Sequence, residues 1–278
     1  MPDSVQNLKK RIKSVGNINK ITKAMELVAA TKMRRAQEIV LASRPYAFVA
    51  LDLLANLTLI EKTKKLQLPE LLKQRPIKKV LFVLVSSDKG LAGAFNSSVF
   101  KKFEAHMERD FEKYKNEEKF FIAVGEKSAQ YLFKKNLNAI KKFVQVGDHT
   151  TLEQVEPLIN FIVQGYLKNP ATGEASWDRV VIVSMHFKSA LRQEPHVRRV
   201  LPVDFDHIKE TVQELIPQTG KYSEIINMSD VRSRDSDVSY LIEPSPEIVL
   251  KDLAKHLLFM QMYQLILEAN AAEHSARR

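Results

Sequence analysis

The sequence predicts an α/β chain in which a small, mainly parallel sheet domain is inserted between two long terminal helices that form an antiparallel coiled coil. Three observations predict it. Val5, Leu8, Ile12, Val15, Ile18, Ile21, Met25 and Val28 recur at spacings of three and four, the stripe of a helix that buries one face. Between residues 77 and 204, short apolar runs alternate with helical patterns, as parallel strands joined by crossover helices do. From residue 246 to 278 the apolar positions nearly encircle a second helix. Both terminal helices exceed what the sheet domain can cover, so an antiparallel pair is the economical arrangement.

The first helix is expected over 1–61, with Asp3 as its N-cap, continuing its stripe through Ala36, Ile39, Ala42, Leu51, Leu54 and Leu57. Gly16 and Pro45 weaken it locally, but no turn chemistry surrounds either. Nearly sixty residues at 1.5 Å each span roughly 85 Å, more than one globular core covers, so this helix needs a helical or external partner. Pro69 and Pro76 close it off and mark a domain boundary.

In the α/β domain, 77–204, Val80 to Val85 is a continuous apolar run, the mark of a strand covered on both faces. A helix follows over Asn96 to Asn116, then a strand at Phe120 to Val124 and a helix at Glu126 to Lys135. The third strand is expected at Phe143 to Val146 and the third helix at Thr151 to Leu167. Val180 to Met185 and Val197 to Val203 complete the strands, Pro195 limiting how the last enters the sheet. The polar stretch 205–238 has no period and is expected to be an insertion or loop. Ser245 and Pro246 are the cap and first turn of the second long helix, 246–278.

Composition narrows the classes of function. The chain has 278 residues, 45% hydrophobic, enough for a sizeable core. It holds no apolar run near the twenty residues a bilayer-crossing helix needs, so membrane association would be peripheral. Without cysteine there are no disulfides, thiolate ligands or thiol nucleophiles. The net charge is +10, and residues 1–36 hold nine basic against two acidic side chains, a local +7. A single-sign helix favours a charged partner over mere solubility.

Candidate chemistry is sparse. Ser86 to Asn96 follows the first strand and opens a helix, where α/β folds bind phosphates. It lacks the Gly-Lys-Ser/Thr ending of a P-loop and the three glycines of a dinucleotide fold, so a structural turn is expected. The seven histidines show no ligand spacing and no serine sits in a nucleophile elbow. No catalytic, cofactor or metal residue is therefore expected.

Residues 9–46, KKRIKSVGNINKITKAMELVAATKMRRAQEIVLASRPY, carry the most specific pattern. They closely resemble the N-terminal helix of the gamma subunit of F-type ATP synthases, above all from Lys20 to Ala30 and from Lys32 to Gln37. Two later segments are similar to the same family in the same order: Tyr240 to Ser245, and Glu268 to Arg277. The Ser86 to Asn96 turn is similar to a structural segment of the family in which Ala92 replaces a common cysteine. Pattern alone gives a basic amphipathic helix; the family comes from the resemblance.

The resemblance implies a rotating shaft inside a hexamer of alpha and beta subunits, with the α/β domain gripping a proton-driven membrane c-ring. Catalysis would lie in the beta subunits, and epsilon and delta subunits would be further partners. It implies a peripheral protein on the cytoplasmic side of a bacterial inner membrane, coupling proton flow to ATP synthesis or hydrolysis and regulating ATPase activity. The expected seam residues are Ile18, Ile21, Met25, Val28, Leu257 and Leu265. The expected subunit contacts are Lys20, Lys23, Arg34, Arg35, Tyr240 and Glu243. Family members continue beyond the segment matched by Glu268 to Arg277, so the second helix is expected to reach only about Val28, leaving Ile12 to Ile21 without a partner in this chain. One rival reading is a coiled-coil protein binding nucleic acid through its +7 helix, which no reader module or interleaved aromatics support; a second is an α/β enzyme with a helical arm, which nucleotide binding by residues 77–204 would support.

Overall fold

The computed structural model describes residues 5–64, 69–109, 115–146, 151–169, 171–204 and 243–278, apart from the side chains of 37, 40–64 and 246. The expected stretch 205–238 and Tyr240 lie outside these residues, as do the side chains of Ala42, Leu51, Leu54 and Leu57. Helix α1 spans Val5–Lys64. It is followed by β1 (Lys79–Val85), α2 (Phe95–Arg109), β2 (Glu118–Val124), α3 (Glu126–Lys134), β3 (Ala139–Phe143), α4 (Leu152–Tyr166), β4 (Arg179–Phe187) and β5 (Gln193–Leu201). Helix α5, Pro246–Arg277, ends the chain, its N-terminus capped where the Ser245 hydroxyl accepts from the Ile248 amide.

The five strands run in the order β3-β2-β1-β4-β5, all parallel except β5, which lies antiparallel to β4 at one edge. Central β1 is buried from Val80 to Val85, which is why it reads as an unbroken apolar run. On one face Phe103 of α2 meets Phe82 and Phe121 edge-on, and Phe100 stacks on Tyr131 of α3 at 4.1 Å. On the other face lie α4, which buries Val155, Leu158, Ile159, Ile162 and Tyr166, and α5. The chain enters this domain through Arg75, whose guanidinium lies over the Tyr166 ring, donates to the Tyr166 and Trp177 carbonyls and pairs with Asp178 at 3.0 Å.

Two strands differ from the sequence reading. The third is Ala139–Phe143 rather than Phe143 to Val146: as an edge strand it is largely exposed and carries Lys141 and Lys142, so it lacks the apolar run that marks a buried strand. The fifth starts at Gln193 and includes Pro195, which stands opposite Met185. Proline is tolerated there because β5 is an edge strand of the described sheet.

Candidate functional site

Helix α1 packs against α5, and Ile39 packs against Leu267. Ten residues back along α1 from Ile39 is Ala29, and ten residues on along α5 from Leu267 is Arg277. In an antiparallel pair of equal rise, α5 therefore ends opposite Ala29. Burial on α1 stops at the same place. Ala29 is 2% exposed and Met33 and Ala36 are buried with it, Met25 is half-buried, and every residue from Val5 to Ala24 is exposed.

The expected seam residues divide accordingly. Leu257 and Leu265 are buried in the main core cluster shared with the sheet, whereas Leu267 is the residue of α5 that packs on Ile39, and Met25 is half-buried. Ile18, Ile21 and Val28, at 55%, 60% and 55% exposure, are not brought into the seam of this chain. For Ile18 and Ile21 the reason is reach, since they lie beyond the end of α5. For Val28 it is rotation: at about 100° per residue, Met25, Ala29, Met33 and Ala36 share one side of the helix and Val28 points about a quarter-turn away. The stripe of threes and fours thus covers two faces, only one of which meets α5.

Of the expected contact residues, Lys20, Lys23, Arg34, Arg35 and Glu243 are exposed. Arg34 forms a 3.6 Å pair with Glu38 on the open surface, an interaction worth little. Among the described residues no helix is long and apolar enough to cross a membrane, and no group of three His, Cys, Asp or Glu is placed to hold a metal.

At the carboxyl ends of β1 and β4, flanking strands depart in opposite directions, the place where open α/β sheets leave a crevice. Here that place receives the end of α5. Arg277 reaches the Gly90 carbonyl at 3.5 Å and pairs with Glu273 at 2.6 Å. Ser275 donates to the Ala190 carbonyl and accepts from Gln193, while Asn270 reaches the Val146 carbonyl. Gly93 lies so close that an added Cβ would sit 3.2 Å from the Ala276 carbonyl oxygen.

The Ser86 to Asn96 turn commits its polar groups to the fold. The Asn96 amide oxygen accepts from the Ser87 amide and its nitrogen donates to the Ser87 hydroxyl. Asp88 accepts from the backbone of Glu126 and Gln145, holding the start of α3 and the end of β3. Gly125 has φ +93°, and a Cβ there would lie 2.2 Å from the Ser86 carbonyl oxygen.

Higher on α5, Glu268 is buried against the sheet. Its Oε2 lies 2.5 Å from Nδ1 of His186 on β4, and its Oε1 accepts from Gln264 one turn earlier. The His186 ring lies 5.0 Å from that of His196 on β5. At the exposed tip of the β4–β5 hairpin, hydrogen bonds from Lys188 and Arg192 hold the Glu194 carboxyl down to about 2. Sequence reasoning missed the docking of α5 on the sheet. Its signal was the run of polar residues, Glu268, Asn270, Glu273, His274 and Ser275, close together near the end of a largely apolar helix.

Comparison with known proteins names the family. The ATP synthase family profile matches residues 4–278. The ATP synthase gamma chain of Roseiflexus sp. (strain RS-1) is 32% identical over 275 residues, covering 99% of this chain and 83% of its own length. That of Herpetosiphon aurantiacus is 34% identical over 274 residues, covering 99% and 84%. Among solved structures, a chain of the central stalk and c-ring of the Tetrahymena thermophila mitochondrial ATP synthase shares the fold, with TM-score 0.59 at 20% identity over 92% of this chain and 96% of that one. Seam, inserted sheet and sequence agree, and this chain belongs to the ATP synthase gamma chain family.

Proposed function

We propose that this chain is the central rotor shaft of an F-type ATP synthase, coupling proton flow through the membrane c-ring to ATP synthesis or hydrolysis on catalytic beta subunits. It has no catalytic site of its own, and it takes part in regulating ATPase activity. Its partners are the alpha and beta subunits around the helices, epsilon and delta subunits, and the c-ring below the sheet domain; nucleic acid is not among them. It works as a peripheral protein on the cytoplasmic side of a bacterial inner membrane.

The observation that carries this reading is the 60-residue basic helix α1, which packs against α5 through Ile39 and Leu267 and keeps Lys20, Lys23, Arg34 and Arg35 exposed. A helix so long and of single-sign charge favours a surrounding partner, such as a sleeve of other subunits. A lopsided shaft touches three surrounding catalytic subunits differently, and only differential contact biases their conformations. The test is co-expression with alpha and beta subunits and a c-ring in vesicles. The reading requires co-purification and ATP-driven proton uptake that depends on this chain; a complex that forms and pumps equally well without it would refute the reading.

A further inference from the structure

Several polar links cross the α5–sheet seam, Asn270 to Val146, Ser275 to Ala190 and Arg277 to Gly90 among them, and among the described residues the contact between His186 and Glu268 is the most deeply buried of these. Both side chains are almost fully buried, at 2% and 3% exposure. Around Glu268 the helix buries Leu257, Leu258, Met262, Leu265, Ile266, Ala269 and Ala272. Apolar contact of this kind is non-directional, and a helix that is apolar nearly all round can turn or slide against its neighbours with little change in buried area. A buried charged or polar pair is a poor source of stability, since size-matched apolar residues commonly serve as well or better. Here the pair also leaves His186 Nε2 buried without a hydrogen-bond partner, which costs further stability. What a directional bond adds is register, the best-attested use of buried polar groups.

Its place fits that use. His186 is the penultimate residue of β4, a strand that pairs with β1 from Arg179 to Val183 and with β5 from Val180 to Phe187, where His186 stands opposite Glu194. Glu268 is further held by Gln264, so the carboxylate is fixed to its own helix as well as to the sheet. The link therefore joins the β4–β5 ladder of the sheet domain to the helix that carries the seam with α1.

We propose that His186 and Glu268 form a register pin, a pair of positioning residues that fixes the angle of the shaft helix against the sheet domain so that torque passes between them without slip. This rests on the rotor reading above. The experiment uses the assembled complex in vesicles and measures, for each variant, the melting temperature, ATP hydrolysis, and protons pumped per ATP. Wild type serves as the control for the rotor reading: if the wild-type complex hydrolyses ATP without pumping, that reading fails whatever the pin does.

With a coupled wild type, the double variant H186L/E268M should melt no lower than wild type and still hydrolyse ATP, while protons pumped per ATP fall at least about twofold. E268Q keeps a directional hydrogen bond and should retain the wild-type ratio. If leucine does not fit, H186M/E268M fills the space with flexible side chains and is held to the same expectation. Three results would overturn the pin: an apolar pair that pumps at the wild-type ratio, E268Q uncoupling as strongly as the apolar pair, or both apolar pairs melting well below wild type, which would make the contact an ordinary source of stability.

Discussion

Helices α1 and α5 belong to one seam, yet they are buried in opposite ways. From Leu250 onward α5 is closed in by α1, α4 and the sheet, and most of its residues are inaccessible. Over its first twenty described residues α1 touches nothing that hides a side chain, and only from Met25 does it share the seam. The difference teaches that amphipathicity alone does not say how far a helix is paired. Both carry regular apolar spacing, but one is a core element and the other, at its start, is an arm that keeps apolar and basic side chains facing outward.

Substitutions at matching residues on the two helices should break this comparison most sharply if it is wrong. Leu265→Ala on α5 opens a cavity in the core and should cost about 2–5 kcal/mol in chemical denaturation, whereas Ile12→Ala on α1 should stay within about 0.5 kcal/mol. Equal losses would mean that Ile12 is packed. Within the sheet domain, Gly125→Ala meets both a positive φ and the Ser86 carbonyl oxygen, and should cost at least about 1–3 kcal/mol by the same measurement.

Amide exchange sharpens the comparison along α1 itself. In the free chain, amides from Ile12 to Ile21 should exchange at rates near those of a fraying helix, while those from Ala29 to Ile39 should be protected by global stability. Uniform protection along the helix would contradict the description of the first segment as an arm. Met25→Lys probes the boundary between the two behaviours. Because Met25 is only half-buried, the change should cost about 1 kcal/mol of stability or less, yet lower protons pumped per ATP in the assembled complex by placing a charge where α1 leaves its partner. Unchanged coupling would remove Met25 from the seam's working end.

The smallest effect concerns pH. Glu194 has its carboxyl lowered from 4.5 to about 2 by Lys188 and Arg192, so its folded form holds fewer protons than the unfolded chain in that window. Its stabilisation of the β4–β5 hairpin is fully present above pH 4.5 and is lost as pH falls towards 2. The Glu194→Gln variant should therefore show a shallower acid denaturation limb, and identical limbs would show that the pairs contribute nothing. Since the Glu194 side chain is about one-third exposed, at 33%, and its partners Lys188 and Arg192 more so, the difference should be slight.

Much of the fold was legible because its strongest signals are local. The run Val80 to Val85 reads as a buried strand, and Ser245-Pro246 reads as a helix start, from residue types alone. β3 was misplaced because an exposed edge strand has no apolar signature, and β5 because a proline is compatible with an edge. The seam was half legible: spacing identifies which residues lie on a stripe, but not where the partner ends, so Ile18 and Ile21 look the same in sequence as Met25. The long-range polar contacts were not legible, because nothing local links Glu268 with His186 or Ser275 with Ala190.

The insertion of the sheet domain between the two halves of the seam also sets the order in which the molecule can be made. Ile39 and Leu267 touch, but roughly 230 residues separate them, and at about 5–20 residues per second the ribosome needs on the order of 10–45 s to deliver the second after the first. Throughout that interval α1 exists as a nascent basic helix with no internal partner. The sheet domain can close β1, β2 and β4 in the meantime, but its face over β4 stays uncovered until α5 emerges. Loop closure of that length makes the seam among the last contacts to form, and it leaves the newborn chain dependent on chaperones or early assembly partners to keep two apolar surfaces apart.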